Sequence, residues 1–199
     1  IALDPKDGRG YYWKAACVGK IAQIRNLLRA FLSAGTVRDL LFTAARMEPQ
    51  DGEIWYVLAE IYSQIPGFPI SFGNTAYAVS LGRKGLEARR QQVARGSELS
   101  IPEDYYIQLA KELVRRGWSE SERRERQSEE ATSFASNTDP VERFFYYEGA
   151  VAIPPLSDRE EAIQIDRGVV SRLSVLTSLT LSQQRDLRVA TQDLKDWSR

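Results

Sequence analysis

The sequence predicts an all-α fold, and three observations carry that prediction. Apolar residues recur every three to four positions nearly throughout, and no segment alternates apolar and polar residues for long enough to make a strand. The periodic stretches are separated by short breaks rich in Pro, Gly, Ser or Asn. A length of 199 residues with 43% apolar and 27% charged content suits one domain, or two small ones, with a buried core.

Residues 9–32 place Tyr12, Ala15, Ala16, Gly19, Ala22, Leu27 and Phe31 on a dense apolar face. Ser33-Ala34-Gly35-Thr36 reads as a break, and residues 37–47 form a second helix with Val37, Leu40, Leu41, Ala44 and Ala45 on one side. A turn at 48–52 leads to a third helix over 53–64. Residues 65–74 are a Pro/Gly loop, and a helix runs from about Thr75 to Arg95. Gly82 and Gly85 weaken that helix by about 1 kcal/mol each relative to Ala. A linker over 96–102 precedes a helix over 103–116, with Gly117 suited to its C-terminus. Residues 119–135 are charge-rich but hold good helix formers, and Glu120–Arg124 and Glu122–Arg126 are i,i+4 pairs. Another helix spans 141–152. Ser157-Asp158-Arg159-Glu160 and Thr180-Leu181-Ser182-Gln183 read as capping boxes that open the last two helices. Their stripes are Ala162, Ile165, Val169, Leu173, Leu176 and then Leu187, Ala190, Leu194, Trp197.

Composition excludes much chemistry. The chain has no His, which removes His-based triads, general bases and metal ligands. Cys17 is the only cysteine, so no internal disulfide and no Cys-rich metal site can form; beside Ala15 and Ala16 it reads as a small buried residue. Lys plus Arg and Asp plus Glu are 27 each, so no global field gathers nucleic acid or an anionic membrane. The uncharged run 61–82 holds Pro66, Gly67, Pro69 and Gly73 and is a poor spanning helix. No signal peptide is visible, and an opening Ile1 in place of Met suggests a processed or partial chain, which leaves room for a lost targeting or anchoring segment. The compartment is not encoded in what remains. No phosphate-binding loop, dinucleotide fingerprint or nucleophile elbow occurs. Neither a cofactor nor a small-molecule substrate is implied. Chemistry by carboxylates alone would need a cleft where acids from two helices meet.

A spacing recurs inside the chain. From Pro5, offsets of six, ten and thirteen give Tyr11, Ala15 and Val18; from Pro49 they give Trp55, Ala59 and Tyr62; from Pro140 they give Tyr146, Ala150 and Ile153. Tyr106, Ala110 and Leu113 repeat the internal spacing after Pro102. An aromatic, an alanine and a large apolar residue thus share one helix face. A neighbour can approach closely at the alanine while the flanking side chains interlock.

The stretch Trp55-x-x-Leu58-Ala59-x-x-Tyr62 resembles the first helix of a tetratricopeptide repeat, and Ala44 and Pro49 resemble the residues that close the preceding repeat. Ala2-Leu3-Asp4-Pro5 resembles the tail of another repeat. The likeness is greatest over 37–62; Lys14 stands where the family favours Leu, and Pro5 and Pro49 are 44 residues apart, against about 34 in the family. The resemblance implies a solenoid of antiparallel helix pairs over residues 1–156, with residues 157–199 as a C-terminal helical hairpin or cap. It also implies a concave groove lined by the residue after each aromatic, Tyr12, Tyr56, Ile107 and Tyr147, with Glu60 and Lys111 one turn on. Such a groove binds a partner protein or peptide without catalysis.

The loop residues Phe68, Ile70 and Phe72 are costly to expose together, so the loop either folds back on the core or docks a partner through Phe68 and Phe72. The basic runs Arg83, Lys84, Arg89, Arg90, Arg95 and Arg115, Arg116, Arg123, Arg124, Arg126 are expected as solvated helix faces. The alternative function is a structural subunit that self-associates through its C-terminal helices within a larger assembly.

Overall fold

The computed structural model describes residue 4 and residues 6–25 and 27–198. Eight α-helices and one 3₁₀ helix occur among the described residues, and no strand. They are α1 (Gly8–Arg25), α2 (Leu27–Met47), α3 (Gly52–Gln64), α4 (Thr75–Ala94), α5 (Glu103–Arg116), α6 (Glu120–Ser136), the 3₁₀ helix (Glu142–Ala150), α7 (Asp158–Ser174) and α8 (Leu181–Trp197). No helix among them is long and apolar enough to cross a membrane. Ala2, Leu3 and Pro5, and the side chains of Leu27 and Phe31, lie outside the described residues.

Local chemistry sets most boundaries. Asp51 caps α3 by accepting from Glu53 N at 3.0 Å, and Asn74 caps α4 by accepting from Ala76 N at 2.9 Å. Gly117 ends α5 in the left-handed conformation, with φ 72°. Ser119, Ser157 and Thr180 each open a helix with a reciprocal capping box, at α6, α7 and α8. One boundary differs from expectation. The break at 33–36 does not occur; α2 runs straight through it. Burying Ala34 and Val37 there outweighs the helix cost of Gly35.

α1 packs on α2, α3 on α4 and α4 on α5. Beyond that the order changes. α5 packs against α7 and α8, whereas α6 packs on the 3₁₀ helix, which also lies against α4. One core cluster surrounds Trp55, Leu58 and Leu41, and takes in Val141 and Phe145. Two smaller clusters join α5 to its neighbours, around Leu113 and around Val169.

The repeated alanine is buried in three of its four copies: Ala15 is 1% exposed, and Ala59 and Ala110 are fully buried. The proline-to-aromatic spacing also has a physical basis, because Trp55 Nε1 donates to the Pro49 carbonyl at 2.9 Å. The fourth copy fails. Residues 142–150 form a 3₁₀ helix with Tyr146 outside helical geometry (φ −114°, ψ 19°), and Ala150 is exposed. A period of three buries Phe145 with Glu148 instead of Tyr146 with Ala150. The close approach falls one residue earlier, at Gly149, where a Cβ would lie 2.2 Å from Ala131 N of α6.

Candidate functional site

A cleft of about 270 Å³ opens between α3, α5 and α8. Tyr56 and Glu60 from α3 and Ile107 and Lys111 from α5 all line it, so four of the groove positions that the resemblance implies converge. Tyr56 reaches the cleft because it stacks on Tyr105 of α5, with ring centroids 4.4 Å apart and planes 25° apart. A stacked pair of this kind adds about 0.5–1.5 kcal/mol beyond area burial. Its phenol is pushed above the ordinary range by burial, then by Asp104. Ile107 differs from expectation: it is only 5% exposed, packed with Val169, Leu173 and Ala190, and so forms wall rather than a free anchor. Lys111 Nζ lies 3.4 Å from Asp193 of α8. Glu60 accepts from Gln64 at 2.9 Å.

The resemblance misses the rest of this cleft. Val189 adds apolar surface, and Arg115, Arg185, Asp104 and Asp186 add charge of both signs. The Asp104 carboxyl is held above its ordinary range by burial, then by Asp186 across the helix interface. Carboxylates from two helices therefore do meet in a cleft, although Arg185 lies 3.4 Å from Asp186. Behind them Glu112 is 1% exposed. One of its oxygens accepts from Gln108 at 3.0 Å; the other has no partner and faces Gly82, where a Cβ would sit 2.6 Å away. Burial holds this carboxyl well above the carboxylate range.

The remaining candidates lie elsewhere. Tyr12 donates to Glu53 Oε1 at 3.2 Å, and Tyr105 donates to Glu53 Oε2 at 2.7 Å while Arg89 donates to Tyr105 at 3.0 Å. Tyr12 thus ties α1 to a network between α3, α4 and α5. Tyr147 borders a second cleft of about 280 Å³ between α4, α5 and α7, shared with Tyr106. The loop splits: Phe72 folds back edge-on to Tyr62 at 5.3 Å under the Arg38 guanidinium, whereas Phe68 is 93% exposed. Cys17 is exposed, because the tight face of α1 is carried by Ala15 and Ala22.

The basic runs are not simply solvated faces. Arg83, Arg116 and Arg123, from α4, α5 and α6, meet Glu148, Asp158 and Glu161 in a buried junction. Arg116 lies 2.7 Å from Asp158 and also bonds Glu148; Arg83 lies 2.9 Å from Glu148 and 2.7 Å from Glu161; Arg123 lies 2.6 Å from Glu161. Burial alone would raise the Glu148 carboxyl, but Arg83, Arg116 and Arg123 override it and hold it at about 2. Charges balance three against three, which is why such a cluster tolerates desolvation. These pairs span up to 78 residues of sequence, so no local pattern announces them.

Among the described residues, no group of three or more His, Cys, Asp or Glu is placed to hold a metal. Comparison with known proteins finds no matching family model, curated protein or solved structure, so the tetratricopeptide likeness rests on the residues alone.

Proposed function

We propose that the chain is a non-enzymatic interaction protein, a tetratricopeptide-like stack of antiparallel helix pairs that seats a partner polypeptide in the α3–α5–α8 cleft. Supporting the stack, Gly8 of α1 lies against Ala44 and Met47 at the end of α2, and Gly19 of α1 faces Val37 further back. On this reading α6 and the 3₁₀ helix are an excursion between the paired helices α5 and α7, and α8 closes the end. The observation that carries the reading is the convergence of Tyr56, Glu60, Ile107 and Lys111 on one cleft. Tyr56 and Val189 would supply contact area, and the mixed charges would set the register of an extended peptide.

Selection of a displayed peptide library on the immobilised chain tests this. Enriched peptides should bind at least tenfold more weakly to Tyr56→Ala and to Val189→Asp, with helicity by circular dichroism retained. Equal binding to the variants removes the cleft from the mechanism.

One observation favours a second reading, self-association through the C-terminal helices. Val175, Leu176 and Leu181 are 77%, 45% and 84% exposed where α7 turns into α8. Deleting residues 157–199 cannot test it cleanly, because losing Asp158 and Glu161 would leave three buried arginines to share the single carboxylate of Glu148. Val175→Ser with Leu181→Ser is the cleaner probe. A dimer in sedimentation equilibrium that this variant abolishes would favour the subunit reading.

A further inference from the structure

Helix α1 is built inside out. Its packed face is made of small residues: Gly8, Ala15 and Ala22 are buried, and a Cβ at Gly19 would lie 3.9 Å from Val37 of α2. Tyr11, Tyr12 and Val18 flank that face and pack on the core, but three bulky apolar residues point the other way. Trp13 is 64% exposed, Ile21 52% and Ile24 76%, with exposed Cys17 among them. At 100° per residue these four side chains fall within an arc of about 80°, centred opposite the face that meets α2. Exposed Arg9 and Lys20 run along one edge of the stripe, and exposed Lys14 along the other. No Asp or Glu occurs within α1; Asp4 and Asp7 precede it in sequence, with Asp7 accepting from Arg9 N at the helix start, and Glu48 and Glu53 approach it at Gly8 and Tyr12, away from the stripe.

We propose that this face docks on an anionic lipid surface, with α1 lying in the plane of the interface. Two features select that occupant. The stripe stands on a convex ridge, because α2 lies directly behind it, and a planar surface meets a ridge that a groove-seeking peptide could not grip. Both edges are basic and the helix has no acid, which matches an anionic headgroup layer and opposes a second copy of the same face. Lys14 and Lys20 can lay their stems beside the stripe and raise their ammonium groups to the phosphates. The chain as a whole carries no net charge, so the attraction is local to this helix.

Vesicle flotation tests the proposal with the intact chain. The chain should float with phosphatidylcholine vesicles containing phosphatidylserine, and several-fold less with phosphatidylcholine alone. Trp13→Ser with Ile24→Ser should abolish flotation. Lys14→Glu with Lys20→Glu should weaken it by more than tenfold, from about fivefold for each basic residue lost. Raised salt should release the wild type. Circular dichroism and a sharp thermal transition would establish that each variant is folded. Three results overturn the proposal: no flotation by the wild type, equal flotation by the Trp13/Ile24 variant, or a wild-type dimer that this variant converts to monomer. The first would leave the face to a protein partner, and the last would assign it to a second copy. None of these substitutions touches the α3–α5–α8 cleft, so the two proposals fail independently.

Discussion

In the α3–α4 pair, contact is made by leaving side chains out. A Cβ on Gly52 would lie 2.8 Å from the Gly85 carbonyl, and Trp55, Leu58 and Ala59 fill the space alongside at 0% exposure. Where α5, α6, α7 and the 3₁₀ helix meet, contact is made by charge, with Arg116 and Asp158 buried to 1% and 0% side-chain exposure. The first kind of junction is non-directional but sensitive to side-chain volume. The second fixes angles, because each guanidinium must find its carboxylates. A buried pair adds little net stability over an apolar substitute, so the charged junction acts mainly by excluding other arrangements.

Single substitutions test what each junction holds. Arg116→Ala should cost about 3–5 kcal/mol in urea unfolding, since Glu148 and Asp158 are left buried without their partner. Trp55→Ala should cost a similar amount, about 3–5 kcal/mol, through an apolar cavity. Salt should not distinguish the two, because both sites are buried. If Arg116→Ala costs less than about 1 kcal/mol, the charged junction is not what holds α7.

The alanine positions sharpen the comparison within one spacing. Ala59→Leu should destabilise by about 1–3 kcal/mol through overpacking. Ala150→Leu, at the exposed copy, should change stability by less than about 0.5 kcal/mol.

Acidity divides the carboxylates in opposite directions. Glu148 is held at about 2 against an ordinary value of 4.5, so its contribution is present above pH 4.5 and is lost as the pH falls towards 2. Asp166 of α7 is fully buried, and neither of its oxygens has a hydrogen-bond partner among the described residues. Burial, and then Asp193, raise it from 3.8 to about 7 against the opposing pull of Lys111. The folded chain keeps that proton where the unfolded chain has released it, so this site loses stability as the pH rises from 3.8 to about 7. Thermal melts should show that Asp166→Asn flattens the loss between pH 3.8 and about 7, and that Glu148→Gln removes part of the loss at lower pH.

Legibility follows the same division. The helices, three of four buried alanines and both terminal capping boxes were readable because each depends on neighbours within one or two turns. The sequence suggests a break at residues 33–36 that α2 does not have, because Gly35 resembles a breaker until Ala34 and Val37 are buried. In the sequence the 3₁₀ helix reads as a fourth copy because three- and four-residue periods coincide over so short a segment. Four cleft residues were implied by the resemblance. Asp104, Arg185 and Asp186 were not, since they reach the cleft only through the packing of α8 on α5.

The three capping boxes carry a consequence for how this chain could vary. A helix that slips by one residue turns by about 100°, which would swing its apolar stripe off the core. Ser119, Ser157 and Thr180 each mark the starting residue by side-chain bonds within the first turn, independently of the segment upstream. Residues could be gained or lost in the connections 151–156 and 175–179 without the next helix losing its phase. Such indels should be far easier to accommodate there than a single deletion just inside α7 or α8.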